Sequence, residues 1–475
     1  MRTRTKTAAA PAGWREETAA TFRLAVPLVL AQLTQIAIHT TDVVMLGWLG
    51  PEALAASALA VNLFFVLQVA GMGLVMASAP LIAAALGQRS NSVRDVRRSF
   101  RASIHLSLLF VVPAMLVLLF SERILLLFGQ DRELAGDAGR YLLVMQWAMI
   151  PNLLIIVFRI LLTALGRPGI PLLVTVGGLF LNAALNWMLI FGIWGAPRLG
   201  LVGAAYATIV TTSLMALALA MLITRLGRIR RFHVFGRIWR PDPARMQAMF
   251  RLGLPIALTM AFEISVFSAA IYLMGWIDTA SVAAHAIALQ IAAITFMVPL
   301  GISQATVIRV GMAFGARDRR WLSLAGRSSL ALSLAFMALA ALIFWLFPRE
   351  LAGLFLDAAD PRSAEVLELA MTFLIVAALF QLFDGGQVVG AAMLRGIQDT
   401  TVPMLFALLG YWVVGLGSGY LLAFSMGFRG LGIWIGLALG LASVAVLMIW
   451  RWSRRESLGL VPFAPAVQVR PQLAP

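Results

Sequence analysis

Long apolar stretches alternate with short basic loops along the whole chain, and this alternation predicts the fold. Twelve stretches are long enough to cross about 30 Å of hydrocarbon as helices, and they lack the period-two alternation of a membrane barrel. The predicted spans are 23–47, 54–84, 102–120, 140–165, 170–193, 200–224, 252–276, 282–312, 323–347, 365–394, 402–425 and 430–450.

The basic residues divide the loops into two sets. If the N-terminus is cytoplasmic, the inner segments hold 29 of the 37 Lys and Arg residues and the outer segments hold 7. Because cytoplasmic loops carry the excess of positive charge, both termini are predicted to be cytoplasmic. The densest segment, 225–251, is expected to be a cytoplasmic linker that contacts anionic lipid headgroups.

The chain also repeats itself. Residues 23–90 align without a gap with residues 251–318, at an offset of 228, and 16 positions are identical. Because each repeat carries six spans, both halves enter the membrane from the same side and are related by an axis along the membrane normal. We predict an all-α membrane protein with two pseudo-symmetric six-helix lobes. Its regions are an N-terminal tail (1–22), an N-lobe (23–224), a linker (225–251), a C-lobe (252–450) and a C-terminal tail (451–475).

Composition excludes several classes of function. With 61% hydrophobic and 12% charged residues, the chain is too apolar for soluble domains. Its arginines lie between apolar runs rather than on one soluble face, which argues against nucleic-acid binding. The sequence has no cysteine and no nucleotide-binding loop, so an ion gradient is the expected energy source. We expect a monomer with no cofactor beyond a coupling ion, Na⁺ or H⁺.

Ionisable side chains inside the spans are the first candidate functional residues, because charge at membrane depth is costly. Glu263 lies about three helical turns after Arg251, and Asp384 lies about three turns before Arg395. At about 1.5 Å per residue, both carboxylates are about 16–18 Å from the inner boundary. They can therefore share one layer and bind either H⁺ or, with amide and hydroxyl oxygens, Na⁺.

A second polar layer is predicted in the N-lobe. Asp42, Asn186 and Thr208 lie on three different spans, each about 26–28 Å from the inner boundary. Asn182 lies one helical turn before Asn186. These amide and hydroxyl groups are candidates for cation coupling, and the alternative is that they form interhelical hydrogen bonds.

One face of the first span is polar. Gln32, Gln35, His39 and Asp42 follow each other at steps of three, four and three positions, which is the spacing of one helical stripe. Lipid cannot satisfy such a stripe, so it is expected to face water or partner helices. We predict that Gln35 and His39 line a substrate pathway, although a structural histidine is the alternative for His39.

Six segments resemble the multidrug and toxic compound extrusion (MATE) family, in particular its NorM-type branch. The resemblance covers nearly the whole chain except the tails, and charged positions coincide with the family pattern. The segments are LAVPLVLAQLTQIAIHTTDVVMLGWLG at 24–50, LNAALNW at 181–187, RLGLPIALTMAFEISVF at 251–267, VAAHAIALQI at 282–291, VIRVGMAFGARD at 307–318 and FDGGQVVGAAMLRGIQDT at 383–400.

The resemblance implies a V-shaped, two-lobe antiporter that exports cationic amphipathic drugs in exchange for Na⁺ or H⁺. Phe380 stands where Na⁺-coupled relatives often have Tyr, and Asn186 stands where many carry Asp, so the ion stays open. Phe380 is a further substrate-pathway candidate, and Glu263 with Asp384 is the possible Na⁺ site. Cation-coupling roles are implied for Glu263, Asp384, Asp42, Asn182, Asn186 and Thr208.

Two other functions remain as alternatives. A lipid-linked oligosaccharide flippase would share a two-lobe helical scaffold, but it would need a basic central cavity for pyrophosphate. An intramembrane transferase would need Asp or His residues clustered in a membrane-surface loop, and the outer loops here are short. The sequence favours a transporter over an enzyme.

Overall fold

The computed structural model describes residues 10–11, 13–88, 92–193, 195–230, 232–357, 363–461 and 463. Twelve helices in these residues are long and apolar enough to cross a membrane, which confirms the predicted number. They are α1 (Trp14–Leu49), α2 (Pro51–Gly87), α3 (Ser92–Leu118), α4 (Arg132–Ala164), α5 (Gly169–Phe191), α6 (Leu201–Arg225), α7 (Pro243–Gly275), α8 (Thr279–Gly315), α9 (Arg319–Leu346), α10 (Ser363–Gly396), α11 (Thr401–Ser425) and α12 (Arg429–Ser453).

The end of the bundle where α6 ends and α7 begins is called here the basic end. Several helices extend further toward this end than the predicted spans. α1 begins at Trp14 rather than at residue 23. α7 begins at Pro243, where the side chain of Asp242 accepts a hydrogen bond from the backbone N–H of Arg245 and caps the helix. Parts of the predicted tail and linker are therefore helical.

The two halves meet through contacts that repeat the internal symmetry. A Cβ atom added to Gly87 would lie 2.0 Å from the carbonyl oxygen of Met312, and one added to Gly315 would lie 2.0 Å from that of Ala84. Positions 87 and 315 are related by the repeat offset of 228, and so are positions 84 and 312. The same contact is thus made once from each half, and only glycine allows so close an approach of backbones.

A second reciprocal contact lies deeper in the bundle. A Cβ atom on Gly73 would lie 2.3 Å from the Cα atom of Ala257, and one on Gly301 would lie 2.8 Å from the backbone nitrogen of Val29. These pairs are again related by the offset of 228. All four contacts lie in the half of each helix nearer the basic end, so the lobes form a V that is closed there.

α11 departs from regular α-helical geometry. Residues Leu409–Leu416 and Leu421–Ser425 are π-helical, and such segments often occur at functional sites. The segment packs closely against α12, since a Cβ atom on Gly440 would lie 2.8 Å from the Cα atom of Gly415. The π-helical turns are therefore supported from one side by the backbone of α12.

Candidate functional site

The C-lobe contains a buried cluster built around one amide. Gln387 of α10 donates from Nε2 to Oε1 of Glu263 on α7 at 2.9 Å and to Oδ1 of Asp384 at 3.2 Å. Its Oε1 accepts a hydrogen bond from the Tyr411 hydroxyl of α11 at 2.9 Å. Asp384, Gln387 and Tyr411 are buried, and Glu263 is partly buried. The two predicted carboxylates therefore meet in one layer, as their depths indicate.

Local sequence explains how this cluster is held. Gly385 follows Asp384 and lets α9 come close, because a Cβ atom there would lie 2.6 Å from Met337. Ser333 of α9 donates to the carbonyl oxygen of Gly385 at 3.1 Å. Gly385 thus allows a close approach between α10 and α9 beside Asp384.

The π-helical segment of α11 contacts both helices that carry the carboxylates. Tyr411 bonds to Gln387 on α10, and the neighbouring Trp412 donates from its ring N–H to the hydroxyl of Ser265 on α7 at 3.2 Å. Two consecutive side chains of α11 therefore connect to α10 and α7. The segment fixes the geometry of the cluster from both sides.

The N-lobe contains a separate cluster with a single carboxylate. Asn186 of α5 donates from Nδ2 to Oδ1 of Asp42 on α1 at 2.5 Å and to Oδ1 of Asn182 at 3.1 Å. Both asparagines are buried, and Asp42 is partly buried. The Oδ1 atom of Asn186 is buried without a hydrogen-bond partner, so this cluster has a free oxygen for an additional donor or cation.

Thr208 lies apart from the bonds of this cluster. Its hydroxyl donates to the carbonyl oxygen of Ala204 on its own helix at 3.0 Å, which is common for threonine inside a helix. Depth along a helix does not fix the direction of a side chain. The structure therefore brings together Asp42, Asn182 and Asn186, while the Thr208 hydroxyl forms a hydrogen bond to the backbone of its own helix.

The three substrate-pathway candidates separate into two groups. Gln35 and His39 are exposed on the same face of α1. Phe380 is instead 1% exposed and packs within the C-lobe, 6.1 Å from the ring of Phe267 and 5.8 Å from that of Trp434. Aromatic packing between α7, α10 and α12 encloses this ring, and its place on a substrate pathway stays a prediction.

Sequence reasoning missed Gln387 and Tyr411, which complete the C-lobe cluster, and the buried Tyr141. Gln387 lies one helical turn after Asp384, which is a signal that could have found it. Tyr411 gives no such signal, since its direction depends on the π-helical turn. Tyr141 of α4 is buried within electrostatic range of Asp42, and only the packing of α1 against the other helices shows this.

The C-lobe cluster has the chemistry of a monovalent-cation or proton site. Its donor set consists of carboxylate, amide and hydroxyl oxygens, which are the ligands that hard cations prefer. Transition metals favour imidazole and thiolate ligands instead. Within the part of the chain that the structure describes, no group of three or more His, Cys, Asp or Glu side chains could hold a metal ion. The oxygen donors of this cluster therefore fit Na⁺ or H⁺.

The MatE family model matches residues 27–188 and 255–421. The start points of the two matched segments, 27 and 255, are related by the offset of the internal repeat. A protein of Mesorhizobium japonicum named "Probable multidrug resistance protein NorM" is 48% identical over 445 residues, covering 94% of this chain and 95% of the relative. "Multidrug resistance protein NorM" of Burkholderia vietnamiensis is 41% identical over 454 residues, covering 95% and 97%.

Solved structures show the same fold. The eukaryotic MATE transporter AtDTX14 superposes with a TM-score of 0.80 at 21% identity, covering 93% of this chain and 96% of that one. An "outward-facing conformation of a multidrug resistance MATE family transporter of the MOP superfamily" superposes with a TM-score of 0.80 at 22% identity and the same coverage. This multi-pass membrane protein therefore belongs to the MatE family, a family of transporters rather than enzymes.

Proposed function

We propose that this protein is a secondary active multidrug efflux antiporter, which exports cationic amphipathic compounds across the inner membrane in exchange for Na⁺ or H⁺. The observation that carries the proposal is the C-lobe cluster, where Glu263 and Asp384 share the amide of Gln387. Relatives that align over more than nine-tenths of the chain are named multidrug resistance proteins, which supports multidrug efflux.

The orientation of the Gln387 amide suggests how the cluster responds to an ion. An ionised carboxylate only accepts hydrogen bonds, so the ion-free pair needs the N–H groups of Gln387. A bound Na⁺ needs oxygen ligands instead, and a bound proton needs an acceptor. Rotation of the amide meets both needs, because the Tyr411 hydroxyl can either donate to Oε1 or accept from Nε2.

Ion and drug can then compete for the same charges. A cationic drug is attracted to ionised carboxylates, and ion binding removes that charge and favours drug release. Ligands shift a two-state equilibrium only through different affinities for the two states. We therefore propose that ion-loaded and drug-loaded lobes favour opposite openings of the V. Gln35 and His39, exposed on α1, are proposed to line the drug pathway.

A lipid-linked oligosaccharide flippase is the second candidate, and the arginines argue against it. Arg159 lies inside the N-lobe but donates to Oε1 of Gln32 at 3.1 Å. Arg309 is buried against Glu17. Both guanidinium groups are thus engaged by the protein rather than presented to a pyrophosphate.

We also propose a monomer with cytoplasmic termini and lipid contacts at the basic linker.

The test uses membrane vesicles loaded with a fluorescent organic cation, with Na⁺ and pH gradients imposed separately. The proposal expects the wild-type protein to move the cation when one gradient is present, and collapse of that gradient alone identifies the ion. The double variant Glu263→Gln with Asp42→Asn is expected to lose gradient-driven transport. Wild-type transport by this double variant would refute the coupling roles.

A matched control separates loss of coupling from loss of folding. Asp357 and Glu350 lie in the segment that connects α9 to α10, outside the spans that carry both clusters. Their neutral variants, Asp357→Asn and Glu350→Gln, are expected to transport like the wild type. Equal losses in the cluster and control variants would point to reduced membrane insertion instead of a coupling site.

A further inference from the structure

The N-terminal extension of α1 crosses from the N-lobe to the C-lobe at the basic end. Glu17 is fully buried, and its carboxylate forms a bidentate ion pair with the guanidinium of Arg309 on α8. Trp321 of α9 donates from its ring N–H to the same carboxylate at 3.1 Å. We propose that these three residues form a latch that holds the lobes together at the basic end and opens in each transport cycle.

Two further contacts and the burial of Arg309 support this latch. The guanidinium of Arg309 lies over the Trp321 ring, 5.1 Å from its centroid, in a cation–π arrangement. The Thr18 hydroxyl, one residue after Glu17, donates to that of Ser328 on α9 at 3.2 Å. Arg309 is 1% exposed although it lies inside a predicted span. Its partner across the lobes therefore accounts for a buried arginine within a span.

The energetics of a buried ion pair suit a latch that must open. Attraction between the charges is largely offset by the cost of removing both from water, so the intact pair adds little net stability. When the lobes separate at this end, both groups can become hydrated again. Removing only one partner is different, because it leaves a buried charge unpaired and makes the joined state costly. The latch thus controls the balance between two conformations more than overall folding.

Helix α7 of the C-lobe has an equivalent N-terminal extension, whose ion pair is more exposed to water. The first turns of α7 cross to α3, where Arg98 pairs with Asp242 at 2.6 Å and Arg245 donates to the Ser99 hydroxyl. Arg245 is the repeat equivalent of Glu17 at the offset of 228. The side chains of Arg98 and Asp242 are 35% and 26% exposed, so water screens this pair. Of these two ion pairs, only that between Glu17 and Arg309 is fully buried.

The latch rests on the proposed alternation of the lobes, and distance measurements test it separately from transport. The chain contains no cysteine, so spin labels can be attached to Thr224→Cys and Ser453→Cys without removing native ones. Both positions are exposed at the basic ends of α6 and α12. Double electron–electron resonance on the full chain in lipid nanodiscs then reports the distance between the lobes.

We expect Glu17→Gln to increase the ratio of separated to joined lobes by at least about tenfold, because Arg309 loses its charge partner. The double variant Glu17→Gln with Arg309→Gln leaves no unpaired charge and should lie closer to the wild type. Trp321→Phe keeps the ring and removes one N–H donor, so a smaller shift of about threefold is expected. This milder variant keeps the test decisive if Glu17→Gln does not fold.

The control is an ion pair of the same end that lies within one lobe. Arg451 and Asp399 form a 2.6 Å pair with side chains 13% and 12% exposed, and Asp399→Asn should leave the distances unchanged. Folded Glu17→Gln and Trp321→Phe proteins with wild-type distances would overturn the latch, and so would an equal shift in Asp399→Asn. A shift in distance without ion-driven efflux by the wild type would retain the latch and reject antiport.

Discussion

The polar clusters of the two lobes share helices but differ in depth and chemistry. Counted within each half, both use the first and fifth helices. The N-lobe places one carboxylate on the first helix and asparagines on the fifth. The C-lobe places Glu263 on the first helix, Asp384 on the fourth and Tyr411 on the fifth. The repeated helices therefore carry different polar sites in the two halves.

This comparison suggests that the two lobes contribute unequally to ion coupling. The repeat equivalent of Glu263 is Gln35, and that of Asp42 is Ala270. Neither lobe therefore keeps the charge of the other at the equivalent position. Two carboxylates in one buried site bind a cation or proton more strongly than one. The C-lobe is expected to dominate coupling, with the N-lobe as a weaker site.

The largest expected effect compares the contributions of the two lobes to ion coupling directly. Glu263→Gln should lower gradient-driven efflux by about 100-fold, and Asp42→Asn by about tenfold, since each removes charged hydrogen bonds worth about 1.5–3 kcal/mol. Efflux rates in vesicles at equal protein levels measure both. Equal losses in the two variants would show that the lobes contribute equally.

Tyr411→Phe tests whether the side-chain amide of Gln387 needs its hydrogen bond to the Tyr411 hydroxyl. Loss of the hydroxyl removes the acceptor for Nε2 of Gln387 in the rotated, ion-bound orientation, and a buried N–H without a partner is less well tolerated than the carbonyl oxygen left without one in the ion-free orientation. Ion binding should therefore weaken by about 1 kcal/mol. The ion concentration for half-maximal efflux should rise about five- to tenfold. Tyr420→Phe, an exposed tyrosine on the same helix, is the control, and a matching change there would assign the effect to packing of α11.

Asn186→Asp makes the N-lobe more similar to the C-lobe. It places a second carboxylate beside Asp42 in place of an amide donor, and two adjacent carboxylates attract a cation more strongly than one. The ion concentration for half-maximal efflux should fall about threefold. Isothermal titration with Na⁺ and proton-release measurements on purified protein identify the ion responsible. An unchanged ion dependence would exclude the N-lobe cluster from coupling.

Thr208→Val should have the smallest effect. The Thr208 hydroxyl bonds to the backbone of its own helix, so valine of the same shape should keep efflux within about twofold of the wild type. The vesicle efflux assay measures this at several ion concentrations. A loss of efflux as large as that of Asp42→Asn would indicate that Thr208 takes part in the ion site and that its side chain rotates during transport.

The sequence alone determined the number of spans, the two-lobe repeat and the depth of the carboxylates. These features follow from local hydrophobicity, from the constant rise per residue of a helix and from an ungapped alignment. Depth predicted that Glu263 and Asp384 can share one layer, but neither their meeting nor the separate position of Thr208 follows from depth. Depth is a property of one helix, whereas direction depends on its rotation against neighbours.

Tertiary structure alone decided which side chains complete each site and which join the lobes. Tyr411 reaches Gln387 through a π-helical turn supported by α12, and no spacing rule predicts that turn. Glu17 and Arg309 are far apart in sequence and meet only because α1 extends across to the other lobe. Hydrophobic pattern fixes which segments enter the membrane, while the close approach of their backbones selects the polar pairs.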